Sequence, residues 1–457
     1  MLNTVLEYIN RFVWGAPALV LILGVGAYLT VRTGFAQVRL FPRALRTFWM
    51  RLRGRREAGD GVSSYSALCT ALAATVGTGN LVGVAGAIAI GGPGAIFWMW
   101  VCAFFGMVTK LAEAALAVRY RVSLNNGEVI GGPMYMIKNG LKPRWHWLAG
   151  VYCVFGVVAA FGVGNATQIN AVIGGINSTV SYFGGGESLT GNLLMGVGLA
   201  VLIATMLLGG AKRIGAAAEK LVPFAAVLYM ALCIGLLCVR AENIPAAFTA
   251  IIRGAFSPKA VTGGMIASAF QALRVGASRG VFTNEAGMGT ASIAHGSAQV
   301  DHPLEQGLMG IMEVFLDTIV ICTLTALVIL SSGVSIPFCV DTGVSLTTDA
   351  FASVYGGWIT IPIALSLCCF AIATVLGWGL YGIRCAQYLF GERVWRPFVW
   401  VQTATVVISS VIGTGTVWMI SETVNGLMAI PSLIALVLLT PELVKLTKSY
   451  PKKVVDI

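Results

Sequence analysis

Charge is scarce in this sequence. Asp, Glu, Lys and Arg make up 11% of the 457 residues, less than half of the roughly 25% usual in soluble proteins. So few charges cannot present such a chain to water. A cytosolic enzyme, a secreted scaffold and a nucleic-acid-binding domain are therefore excluded. Histidine is rarer still, with only His146, His295 and His302, none in a His-Glu-x-x-His pattern or other ligand spacing. That removes the usual basis for a metal-dependent enzyme in the membrane, which needs ligands or an acid–base pair converging on one point. The cysteines are mostly single and lie in apolar runs (Cys69, Cys102, Cys153, Cys233, Cys238, Cys322, Cys368, Cys369). They show neither metal spacing nor a disulfide framework and read as small buried hydrophobes. A secretory leader is not expected either, because the first apolar run, Trp14 to Val31, is followed rather than preceded by positive charge.

What is abundant is apolar sequence. Hydrophobic residues reach 57%, with 56 glycines, and the mean hydropathy is +0.83. Bilayer hydrocarbon can act as the solvent for such a chain, and about 20 apolar residues cross it as a helix. Eleven candidate spans follow: about 14–32, 62–90, 94–118, 147–174, 192–210, 221–240, 261–282, 306–331, 360–383, 397–419 and 423–441. The fold class is all-α and polytopic, one transmembrane domain over 1–457.

The net charge of +11 is explained by topology rather than by a nucleic-acid partner. With the N-terminus outside, 23 Lys and Arg fall on the inner side, including Arg32 to Arg56 and Arg119 to Arg144. Only Arg11, Arg240, Arg253 and Lys259 fall outside. The opposite orientation would reverse the positive-inside bias. Phe41, Leu45, Phe48, Trp49 and Leu52 recur at helical spacing among Arg39, Arg43, Arg46, Arg51 and Arg53. This predicts a basic amphipathic helix on the cytoplasmic leaflet, with membrane lipid as its partner and Pro42 in its first turn.

Function is sought where the spans are interrupted. The second carries Thr75-Val76-Gly77-Thr78-Gly79-Asn80 at mid-depth. Irregular backbone there is tolerated only in protein or beside a cavity, and the freed carbonyls and amides can hold a cation and an anion. A dinucleotide fingerprint needs a strand before these glycines, and the uncharged stretch around them excludes one. The seventh span carries Phe270-Gln271-Ala272-Leu273-Arg274-Val275-Gly276-Ala277-Ser278-Arg279-Gly280. It predicts a second discontinuous helix, with Arg274 and Arg279 either functional or paired with Glu285, Glu313 or Asp317. Lys110 and Glu113, one turn apart, read as a self-neutralising pair near the cytoplasmic end. Asn165 and Gln168 share one helical face in the fourth span, as do Thr374 and Trp378 in the ninth, and these four are taken as site residues.

The two interruptions are five spans apart. If the first span is an addition, 61–240 and 260–445 form two five-helix halves of opposite direction, preceded by residues 1–60. That is the layout of an inverted-repeat transporter with a midplane site. Direct likeness between the halves is slight, Ser66-Ala67 against Ser268-Ala269.

The string Gly91-Gly92-Pro93-Gly94-Ala95-Ile96-Phe97-Trp98-Met99-Trp100 resembles the hallmark of the alanine or glycine:cation symporter family. So do Gly131-Gly132-Pro133-Met134-Tyr135, Gly77 to Asn80, Arg279-Gly280 and Thr283-Asn284-Glu285-Ala286-Gly287-Met288-Gly289. The resemblance covers about residues 60–380. It implies a leucine-transporter-type fold with one extra N-terminal helix, in a bacterial inner membrane, and sodium-coupled import of alanine or glycine without a cofactor. It further implies a substrate site made by Gly77, Thr78, Gly79, Asn165, Gln168, Phe270, Thr374 and Trp378. Sodium would use carbonyls near Thr75 and Val76 with the Thr374 hydroxyl. Phe270 and Trp378 would fill the space beyond the α-carbon. Proton coupling stays open as the alternative.

Overall fold

The computed structural model describes residues 10, 13–53, 61–124, 127–256, 260–262, 265–267, 269–337, 345–412 and 415–451. Arg11, Arg55, Arg56, Lys259, Ser268, Lys452 and Lys453 lie outside them.

The chain is built almost entirely from helices. α1 (Ala16–Arg32) leads to α2 (Phe41–Leu52), then α3 (Ser64–Thr75), α4 (Val84–Gly91) and α5 (Gly94–Arg119). After a small hairpin, Val122–Ser123 against Val129–Ile130, come α6 (Pro133–Gly140), α7 (Trp147–Phe161) and α8 (Thr167–Tyr182). α9 (Leu189–Leu207), α10 (Gly210–Val239) and α11 (Ile244–Phe256) follow. The second part holds α12 (Ala269–Asn284), α13 (Ala291–His295), α14 (Pro303–Val314) and α15 (Thr323–Ser331). It ends with α16 (Ser345–Tyr355), α17 (Thr360–Phe390), α18 (Trp395–Ser409) and α19 (Gly415–Ser449).

Among the described residues, seven helices are long and apolar enough to cross a bilayer, and the bent pair Ser64–Thr75 plus Gly79–Gly91 makes an eighth. These eight carry the expected spans at 62–90, 94–118, 147–174, 192–210, 221–240, 306–331, 360–383 and 423–441. The other three expectations fall on α1, α12 and α18, of 17, 16 and 15 residues, shorter than a full crossing; the opening of the expected 261–282 span is instead a strand pair, Ala260–Thr262 against Met265–Ala267.

α5 is the central strut. Val108, Leu111, Ala112 and Ala115 are wholly buried, and the helix packs against α12, α14 and α1. α17 is the second, touching α3, α7, α8 and α10. Glycines let these helices approach. A Cβ on Gly276 would stand 2.1 Å from the Ala95 carbonyl, and one on Gly310 2.7 Å from that of Lys110. Such close backbone approach is how helices associate without a hydrophobic drive from water. The basic helix forms as expected. Its Ala44 and Thr47 are buried, Phe41 packs on Phe315 with ring centroids 4.9 Å apart, and Arg51 pairs with Glu305 at 3.4 Å. Leu45, Trp49 and Leu52 stay exposed.

Candidate functional site

The first interruption is where the glycines and threonines place it. α3 stops at Thr75, Val76 is extended (φ −80°, ψ 103°), and the chain resumes as a π-helical turn, Gly79–Gly83, bent by 51° from α3. Asn80 holds the break. Its Oδ1 accepts the Gly77 amide at 2.9 Å, and its Nδ2 donates to Asp317 Oδ1 at 2.7 Å. Asp317, itself in a π-helical segment between α14 and α15, also accepts the Thr318 hydroxyl at 2.7 Å. π-turns tend to mark functional positions, and a third, Gly162–Ala166, lies between α7 and α8.

The second interruption is later than expected. Residues 270–280 form an unbroken part of α12, because Gly276 and Gly280 serve close packing against Ala95, Met99 and Cys102 rather than unwinding. The chain breaks only after Asn284, with Glu285, Gly287 and Gly289 all at positive φ (52°, 96° and 78°). Glu113 pins this loop. Its Oε1 accepts the amides of both Gly287 and Gly289 at 2.9 Å. Lys110 and Glu113 are therefore not a snorkelling pair. Both are wholly buried, and Lys110 donates to Glu313 Oε1 at 2.9 Å. Glu313 Oε2 faces His295 Nε2 at 2.9 Å, and Gln306 Nε2 reaches His295 Nδ1 at 2.6 Å. With Nδ1 occupied as acceptor, the imidazole proton sits on Nε2 toward Glu313. A single carboxylate thus ties α5, α13 and α14 together.

Between the breaks is a cavity lined by Ala74, Thr75, Gly77, Thr78, Gly79, Val163, Thr167, Gln168, Phe282, Glu285, Thr374 and Trp378. Its volume is about 20 Å³, on a scale where one water needs roughly 10–15 Å³. Trp378 is fully buried and sits against Gly164, where an added Cβ would be 2.2 Å from the Trp378 Cβ. Two polar atoms of the lining residues have no partner, the acceptor Gln168 Oε1 and the donor Trp378 Nε1. The Gln168 amide donates to the Val163 carbonyl at 3.2 Å and reaches Thr78 Oγ1 at 3.4 Å. Thr374 Oγ1 donates to the Ala73 and Phe370 carbonyls at 2.8 and 2.9 Å. That clamps α17 to the end of α3.

Seven of the expected residues meet here: Thr75, Gly77, Thr78, Gly79, Gln168, Thr374 and Trp378. Three do not. Val76 is buried but does not line the cavity. Asn165 turns away and donates to the Gln402 carbonyl at 2.9 Å, since the π-turn that contains it rotates it out of phase with Gln168. Phe270 is the correction. It is 67% exposed, twelve residues before Phe282, because the break lies beyond the span where it was expected. Phe282 takes the lining place assigned to Phe270. Glu285, Thr167 and Val163 were not expected. Glu285 belonged to a recognisable motif, whereas a lone threonine and valine carry no signal.

The family profile described as "Sodium:alanine symporter family" matches residues 1–456. This chain belongs to that family. A sodium/alanine symporter, AgcS of Methanococcus maripaludis, is 44% identical over 98% of this chain and 96% of its own length. An uncharacterized transporter of Haemophilus influenzae is 42% identical over the same shares. The probable sodium/glutamine symporter GlnT of Bacillus subtilis is 34% identical over 99% of this chain and 92% of its own. Among solved structures, MhsT in complex with L-phenylalanine superposes with a TM-score of 0.56 at 16% identity, covering 86% of this chain and 99% of that one. That likeness establishes the fold. A sodium-coupled amino acid transporter of the membrane, multi-pass and mostly helical, is the activity class this symporter family brings with it.

Proposed function

We propose that the chain imports alanine or glycine together with sodium, by alternating access around the cavity at the two helix breaks. The observation that carries this reading is that the residues between the two breaks are closed over by the fully buried Trp378 indole and by Phe282. A relative is named for glutamine, so the family alone leaves the side chain open. Trp378 and Phe282 crowd this lining, so a substrate with no more than a hydrogen or a methyl beyond the α-carbon is the one admitted when the site opens.

The chemistry suits a zwitterion. The amides following the first break, at Thr78 and Gly79, receive the carboxylate, assisted by the unpartnered Trp378 N–H. Gln168 Oε1 and the carbonyls ending α3 receive the ammonium. In this reading Asn165 supports the site from behind and does not touch substrate. Sodium sits where Thr374 Oγ1 meets the Ala73 carbonyl, beside Thr75 and Val76, so each ligand organises the other's site. One sodium entering with a neutral zwitterion gains about 2.3 kcal/mol per 100 mV. A tenfold sodium gradient adds about 1.4 kcal/mol. Together these support several hundred-fold accumulation. The basic face, with Arg32 to Arg53, is placed in the cytoplasm, and the two five-helix halves rock about the fixed site.

The test is labelled alanine and glycine uptake into proteoliposomes under imposed sodium, potassium or proton gradients. Sodium-driven accumulation that larger amino acids cannot compete away is expected. Flux driven by protons alone reassigns the coupling ion, and no flux under any gradient overturns the reading.

A further inference from the structure

We propose that Arg279 is a substrate-recruiting cation, held one turn outward of the central cavity, that captures the amino acid's carboxylate before it reaches the first helix break. This rests on the reading of the chain as a carrier of small zwitterions.

Arg279 lies within α12 and is half-buried. Its side chain makes no hydrogen bond or ion pair among the described residues. The acids that could neutralise it are engaged elsewhere. Glu285 accepts the Thr290 hydroxyl at 2.6 Å, Glu313 holds Lys110 and His295, and Asp317 holds Asn80 and Thr318. An arginine at membrane depth is costly unless it faces protein partners or a watery cavity. Having no protein partner among the described residues, Arg279 is assigned the second.

Helix phase says which cavity. One turn before it, Val275 packs where a Cβ on Gly91 would come within 2.9 Å; one turn after it, Thr283 packs against Gly79 and Gly83 at 3.5 and 3.8 Å. Arg279 lies between them on the face turned to α4. Gly86, midway along α4, has open space where its Cβ would stand. Three residues on, about 4.5 Å along the helix axis, Phe282 lines the central cavity. The charge bias assigns the Ala269 end of α12 to the outside, so the step from Phe282 back to Arg279 leads outward.

The chemistry at that point is specific. A guanidinium offers a planar fork that fits a carboxylate with two parallel hydrogen bonds. A carboxylate held there is roughly one helical turn, ~5.4 Å, from the amides of Thr78 and Gly79 that receive it next. The same fixed charge disfavours ligands whose carboxylate is missing or outweighed by positive charge.

The experiment compares wild type, Arg279→Lys and Arg279→Gln in proteoliposomes. It reads sodium-driven alanine KM and kcat, and inhibition by alaninamide, which keeps the ammonium but lacks the carboxylate. Arg279→Gln is expected to raise KM at least tenfold with kcat within about twofold, and to narrow the preference for alanine over alaninamide several-fold, the remainder being held by the Thr78 and Gly79 amides. Arg279→Lys retains most of both, and wild-type KM rises with ionic strength. An unchanged KM and preference in Arg279→Gln overturns the proposal. So does a loss of kcat at constant KM, which marks a structural role. If Arg279→Gln fails to insert, a wild-type KM indifferent to ionic strength overturns it alone. Absence of alanine and glycine uptake by the wild type is a different failure, that of the transport reading itself.

Discussion

Trp378 reaches the cavity only because Gly164 has no side chain, and on the proposed function this pair is where selectivity is tested. Trp378→Ala is expected to lower alanine kcat/KM about tenfold, or ~1.4 kcal/mol, while leucine and phenylalanine begin to compete for uptake. Unchanged competition would remove the indole from the selectivity site. Gly77→Ala acts on the other ligand. Its new Cβ would stand 2.9 Å from Thr374 Oγ1, so the hydroxyl leaves its place beside the Ala73 carbonyl. The sodium concentration for half-maximal uptake should rise several-fold with membrane insertion unaltered. An unchanged sodium dependence would move the cation away from Thr374. At this scale the sequence was legible where chemistry is conspicuous, as with Gly77, Thr78 and the Thr374/Trp378 pair. Phe270 was misplaced because glycines that thin a helix for packing look like glycines that break it.

Among the helices, the Lys110–Glu313 ion pair is wholly buried and carries a large energetic stake. Removing one partner leaves an uncompensated buried charge, typically a loss of about 3–5 kcal/mol, whereas replacing both with apolar side chains of similar volume is far milder. Lys110→Met is therefore expected to lower the thermal unfolding temperature in detergent sharply. The double variant Lys110→Met with Glu313→Leu should recover much of it. Equal losses in the two would show that the pair contributes through something other than charge. The spans themselves were readable from apolar runs, and so was the first break. The position of the second was not. It depends on a carboxylate of α5 reaching two amides of a loop more than 170 residues away, a contact with no local signature.

For the whole molecule, the arginine-rich connections are the basis of the orientation proposed for it in the bilayer. A fluorescent protein fused after Ser449 should mature in the cytoplasm, and alkaline phosphatase inserted at Gly186 should be active outside. The reverse pattern would invert the assigned direction of import and place Arg279 on the inner side. Glu113 bears on a different question, how motion is shared. Helix amides opened by a break are natural anion receptors, yet Gly287 and Gly289 already have theirs, supplied by the protein itself. The loop after α12 is thus a bracket, riveted to the central strut, while the amides at Thr78 and Gly79 are the ones proposed to receive the substrate. The two breaks are therefore not equivalent: one is already filled from within the protein, and in the proposed cycle the other is the one that opens.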